Sequence, residues 1–163
     1  MTLLSTTSLT GASTTISSIS QSYTDLYVVV DYMYFTAGGS GSFTIRPNAE
    51  TTLSTMSGLY FNTGSGGLID YRGNSTIGHT ERLIQGNSPS NLFVLKISQY
   101  SNSNVVKAFQ FFGGFTDSGG IKNGINYAGF FRSETAITSL VFVGSTNFGS
   151  QYAPPQVNIY GVK

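Results

Sequence analysis

Apolar side chains recur along this chain with a period of two rather than 3.6. From Asp25 to Phe35, Leu26, Val28, Val30, Tyr32 and Tyr34 share one side of an extended segment. Tyr27, Val29, Asp31, Met33 and Phe35 take the other, so the pattern predicts a long, largely buried strand. Asn91 to Tyr100 alternates more plainly, with Phe93, Leu95 and Ile97 inward and Lys96 and Ser98 outward. In Lys107 to Thr116, Phe109, Phe111 and Phe115 share a face opposite Gln110. Val141 and Val143 are expected to follow Ile137 on one side of the next strand, and Val157 and Ile159 to close the sheet.

Turn-forming clusters separate these runs: Ala37-Gly38-Gly39-Ser40-Gly41, Gly64-Ser65-Gly66-Gly67 and Asp117-Ser118-Gly119-Gly120. Glycine reaches positive φ without steric cost, so these read as hairpin tips or loops. Asn123-Gly124 is a candidate type I′ turn, and Pro154-Pro155 shapes the approach to the last strand. The Leu and Ile spacing of the Ser/Thr-rich opening suits an edge strand, and the apolar closing strand is expected inside the sheet. Many short strands without a helical pattern predict an all-β fold, an antiparallel two-sheet β-sandwich of jelly-roll kind. Residues 1–163 fit one domain, and a chain of this size buries about 70% of its unfolded surface.

Composition narrows the function. Charged residues are only 9% of the chain and the net charge is +1, against about 25% charged in ordinary domains. The basic residues form no run, so the cation cluster that nucleic-acid binding needs is missing and nucleic acid is not an expected partner. Cysteine is absent, which excludes disulfides and Cys-based metal sites. The longest apolar stretch, Leu26 to Phe35, is interrupted by Asp31 and is far shorter than the about 20 residues of a membrane span, so membrane insertion is not expected. Leu3-Leu4 passes at once into Ser and Thr with no basic residues ahead, which does not read as a signal peptide.

Candidate chemistry is thin. His79 is the sole histidine and sits in a polar context that reads as a loop or strand end. A Ser–His–Asp site drawn from His79, Asp70 and some serine lacks a G-x-S-x-G elbow. Asp70, Glu81, Asp117 and Glu134 are the carboxylates available to a glycosidase pair, with solvation or loose pairing, such as Glu134 with Arg132, as their default role. Asp117-Ser118-Gly119 lacks the alternating carboxylates of a calcium loop. No cofactor or metal is implied, and an enzyme is the least supported class.

The ten tyrosines carry more information. Strand propensity and core filling account for most. Tyr71 beside Arg72, and Tyr152 ahead of Pro154, stand in loop contexts and are the candidates for a subunit interface or a glycan contact. Tyr71→Ala and Tyr152→Ala are expected to fold but to associate less well.

The two ends of the chain carry a resemblance. Ile137-Thr138-Ser139-Leu140 leads through a polar loop to Asn158-Ile159-Tyr160-Gly161-Val162-Lys163. This resembles the closing signature of small β-sandwich virion proteins from tailed bacteriophages, often of marine and cyanobacterial hosts. The opening Leu3 to Ile19, and Tyr23-Thr24-Asp25-Leu26-Tyr27-Val28-Val29-Val30, resemble the same family's beginning and first long strand. The resemblance implies a virion structural protein assembled in the host bacterial cytoplasm and released by lysis. One reading is a capsid decoration or cement subunit, a homotrimer by family analogy, that binds the major capsid protein. The other is a tail-fibre or receptor-binding module, attached to tail proteins, that recognises a host surface glycan. Fibres generally carry an attachment domain or a long shaft, so the length of this chain favours decoration.

Overall fold

The computed structural model describes residues 1–36, 41–52, 54–62, 68–73, 77–84, 91–149 and 153–163; of 62, 68–73 and 78–83 it describes the backbone alone. The predicted turn clusters at 37–40 and 64–67 lie outside the described residues. Among the described residues twelve strands make up the regular structure: β1 (Thr2–Ser8), β2 (Ser13–Ile16), β3 (Asp25–Asp31), β4 (Gly41–Pro47), β5 (Ser54–Asn62), β6 (Leu68–Gly73), β7 (Ile77–Ile84), β8 (Leu92–Ile97), β9 (Lys107–Thr116), β10 (Lys122–Phe131), β11 (Leu140–Gly144) and β12 (Gln156–Val162). No helix occurs among the described residues.

The strands form two antiparallel sheets, as the period of two predicts. The larger runs β1-β12-β3-β8-β9-β10-β5-β6 and the smaller β2-β11-β4-β7. The order follows one rule: β1, β2, β3 and β4 pair in turn with β12, β11, β8 and β7. Successive strands of each arm alternate between the sheets, which lays β1-β12-β3-β8 over β2-β11-β4-β7. The hairpin β9–β10 and the pair β5–β6 then widen the large sheet beyond β8.

One hydrophobic cluster fills the space between the sheets. Leu26, Val28 and Val30 of β3 are fully buried while the residues between them are half-buried, the alternation of a strand with one face on the core. Phe43 of the small sheet and Phe93 of the large one tie the layers together, their ring centroids 5.6 Å apart. Phe93 also stacks on Phe111 at 5.6 Å, and Phe43 meets the edge of Phe148 at 6.4 Å. These separations lie in the range where ring quadrupoles attract as well as pack. Phe109, Phe111, Phe115, Ile125 and Tyr127 extend the core under the added strands.

Three local expectations need correction. The strand from Asp25 stops at Asp31 instead of running to Phe35, because Tyr32 takes a left-handed conformation (φ 54°) and its N–H is held by Asp31 Oδ1 at 2.9 Å. Met33, Tyr34 and Phe35 are all buried after this break, so the alternation does not continue. Asn123-Gly124 is not a turn but part of β10. The β9–β10 reversal falls at Asp117–Gly120, where Asp117 Oδ1 accepts the N–H groups of Gly119 and Ile121, each at 2.9 Å, and Gly120 supplies φ 79°. Val141 and Val143 are half-buried, and the core row of β11 is Leu140 and Phe142. The cause is Asn48, whose Oδ1 takes the N–H groups of Thr138 and Ser139, so that the strand begins only at Leu140.

Candidate functional site

The sequence candidates do not converge. Tyr71 and Arg72 lie in strand β6, not in a loop, opposite Gly58 and Ser57 of β5. Successive strand residues alternate between faces, so the two occupy different rows of the sheet. Tyr71 stands in the row of Tyr127, Phe111, Leu95 and Val28, and Arg72 in the row of Ala128, Gln110 and Lys96. The side chains of Tyr71 and Arg72, and the whole of Tyr152, lie outside the described residues. Of the two settings expected for His79, loop or strand end, the structure gives a strand: it is the third residue of β7, opposite Phe43.

The buried polar groups serve the fold. Lys107 is fully buried and donates from Nζ to the carbonyl oxygens of Val105 (2.8 Å), Glu134 (2.6 Å) and Ser133 (3.4 Å). Burial lowers its pKa, and the Glu134 carboxylate opposes that shift. Asn91 bridges the Met33 carbonyl, to which its Nδ2 donates, and the Thr116 N–H, accepted by Oδ1 at 2.8 Å. The Tyr60 hydroxyl donates to Asn123 Oδ1. At the surface, Arg132 donates from Nη2 to the Thr52 carbonyl at 2.9 Å. Among the described residues no three His, Asp or Glu side chains stand close enough to hold a metal ion.

What the molecule presents instead is the outer face of the eight-stranded sheet. Phe61 and Leu59 (β5), Phe130 (β10) and Leu92 (β8) are between 40% and 54% exposed there. Phe112 is half-buried between them, in the same register row as Leu59 and Asn126. Small residues shape the ground between the large ones. The Phe61 ring lies over Gly124, where a β-carbon would come within 2.8 Å of it. Ala108, Ala128, Thr55, Ser57 and Phe130 border an open depression of about 500 Å³ at one end of this face, and Leu92, Gly114, Thr116 and Lys122 border a second of about 390 Å³ at the other.

The register places Lys96, Lys122 and Arg72 on this face together with Asp25, Asp31 and Asp70, so the formal charges of its strands balance in number. Lys96 Nζ is 3.9 Å from Asp25 Oδ2, Lys122 Nζ donates to Thr116 Oγ1 at 2.7 Å, and Asp31 Oδ1 holds the Tyr32 N–H. Gln110 and Asn126 pair with each other at 3.2 Å. With formal charges equal in number, the face offers apolar contact suited to packing against another neutral surface.

These residues were hidden by a rule that also reveals them. Tyr60-Phe61, Leu92-Phe93, Phe111-Phe112 and Phe130-Phe131 are adjacent apolar pairs inside strands. With side chains alternating, one member of each pair must face away from the core. No family model, curated protein or solved structure matches this chain.

Proposed function

We propose that this chain is a bacteriophage virion structural protein, a capsid decoration or cement subunit that stabilises the head through contacts with copies of itself and with the major capsid protein. The observation that carries the reading is the neutral outer sheet face with exposed Leu59, Phe61, Leu92 and Phe130. The resemblance of both chain ends to small phage sandwich proteins supports it. So does the strand order, two sheets of β1-β12-β3-β8 and β2-β11-β4-β7, which we read as a jelly roll with β9–β10 and β5–β6 added to one sheet.

Magnitudes favour a lattice over an isolated pair. Fully burying a large apolar side chain is worth about 1.5–3 kcal/mol, so four half-exposed ones supply roughly 4 kcal/mol. Association costs at least about 4 kcal/mol in lost freedom of motion. One such contact is therefore weak, and several made together on a capsid surface reinforce one another through effective concentration.

A second reading, a tail-fibre or receptor-binding module, draws on Tyr32. This side chain is 48% exposed on a backbone in the left-handed region, a geometry that a bulky residue adopts only at a cost. An aromatic ring fixed in that way can stack on a sugar. Quantitative mass spectrometry of purified particles separates the two. A copy number comparable to that of the major capsid protein supports decoration. A small fraction of it overturns decoration and directs a screen of host polysaccharides against Tyr32→Ala.

A further inference from the structure

Among the described residues the four edge strands of the two sheets are not alike. Edge strand β6 carries Asp70 and Arg72, edge strand β7 carries His79, Glu81 and Arg82, and edge strand β2 has four residues. Charge and shortness are the devices that keep an exposed edge from pairing with another chain. Strand β1, at the end of the large sheet, has seven residues, Thr2–Ser8, with no charge and no proline. A bulge interrupts its pairing with β12 between Leu3 and Ser5, and from Ser5 to Ser8 the register is regular.

We infer that β1 is a self-pairing edge: two copies of this chain join β1 to β1, antiparallel about a two-fold axis, and continue the large sheets into one another. An axis perpendicular to the sheet keeps every row on its own face, and centred on Thr6 it sets Thr6 against Thr6. Ser5 then meets Thr7 of the second copy, and Leu4 meets Ser8. The regular stretch Ser5-Thr6-Thr7-Ser8 thus pairs hydroxyl with hydroxyl, and such cross-strand Thr and Ser pairs are stabilising. No like charges meet, and a net charge of +1 leaves little long-range repulsion between copies. Leu3, 53% exposed at the edge, gains a neighbour. That match of a neutral strand to itself identifies the occupant as a second copy. A strand of another protein would have to be equally uncharged, and nothing in β1 selects for it. The inference stands on the edge itself and does not depend on a virion location. It is compatible with a threefold assembly made through other surfaces, which it would link in pairs.

The test is the solution mass of wild type against Thr6→Lys, measured by light scattering. Thr6 is exposed, and its described side-chain bond is to Asn158 Oδ1 at 2.7 Å, so the lysine disturbs little inside the subunit and places two ammonium groups face to face on the axis. Wild type is expected at twice the mass of Thr6→Lys, with Thr6→Val, which keeps strand propensity, at the wild-type mass. Because the chain has no cysteine, Thr6→Cys is expected to give a disulfide-linked pair on mild oxidation, and Ser103→Cys, at an exposed turn away from both β1 and the outer face, is not. A one-chain mass for wild type, an unchanged mass for Thr6→Lys with the same circular dichroism spectrum, or cross-linking through Ser103→Cys but not Thr6→Cys overturns the inference. The copy number per particle is a separate measurement, so either proposal can fail without the other.

Discussion

Lys107 and Tyr100 each place an ionisable group in the core and satisfy it on backbone carbonyls. The three oxygens on Lys107 Nζ belong to Val105, just ahead of β9, and to Ser133 and Glu134, just after β10, so one ammonium fastens both ends of that hairpin. Lys107→Met removes three donors at once and is expected to destabilise by about 1–3 kcal/mol, read as a lower urea midpoint at neutral pH. The Tyr100 hydroxyl donates to the Ser20 carbonyl, and burial, with Tyr23 adding to it, raises its pKa above 10.0. Below pH 10 both folded and unfolded chains hold this proton, and the group's contribution to stability is complete. Above that value the unfolded chain releases it first, so stability falls as pH rises toward the folded pKa. Tyr100→Phe is expected to flatten this alkaline loss in a series of urea midpoints taken across pH 9 to 11, and an unchanged slope would assign the loss to other groups.

Elements respond differently on the two faces of one strand. Phe61 and Phe130 point away from the core, while their neighbours Tyr60 and Phe131 are 2% and 1% exposed. Phe61→Ser and Phe130→Ser are expected to leave unfolding stability within about 0.5 kcal/mol of wild type. If the outer face is the contact surface, each should weaken self-association or capsid binding by about fivefold, the equivalent of roughly 1 kcal/mol of lost burial. A loss of stability without a loss of association would place these rings in the fold instead. The same alternation decides what could be read in advance. Strand β9 was legible to its ends, Lys107 to Thr116, because three Phe at one parity and Gln110 at the other admit one orientation. The Ser/Thr-rich opening was legible as an edge strand because sparse Leu among Ser and Thr suits a strand with a single neighbour. The starts and stops were not, because they depend on tertiary contacts. Asn48 captures two amides ninety residues away, and Tyr32 turns left-handed within an apolar run. The outer face is hard to read because an adjacent apolar pair does not say which member the core covers, and β6 resembles a loop because it is short and ends on glycine.

Chain closure governs the whole molecule. Strand β12 pairs with β1 on one side and β3 on the other, so the end of the sequence forms the interior of the large sheet. Val157 and Ile159 are fully buried, and their register partners Val30 and Val28 are as well. Removing residues 156–163 therefore strips two core side chains, uncovers two more and separates β1 from everything it pairs with. Each buried aliphatic lost costs about 2–5 kcal/mol, and a domain has only about 5–15 kcal/mol to lose. The truncated chain is expected to show no cooperative thermal transition by circular dichroism. Removing residues 1–8 takes an edge strand whose described side chains are all exposed or half-buried, and that chain is expected to keep a cooperative transition at lower temperature. Equal loss in the two truncations would mean that β1 contributes to the core as much as β12 does. The same topology sets the folding rate. Pairing β12 with β3 brings together residues as distant as Asp25 and Val162, so the entropy of closing nearly the whole chain is lost before those strands gain their contacts. Refolding after dilution from urea is expected in the millisecond-to-second range typical of non-local β folds. Thr6→Lys, at the free edge, should leave that rate unchanged even where it separates the two copies.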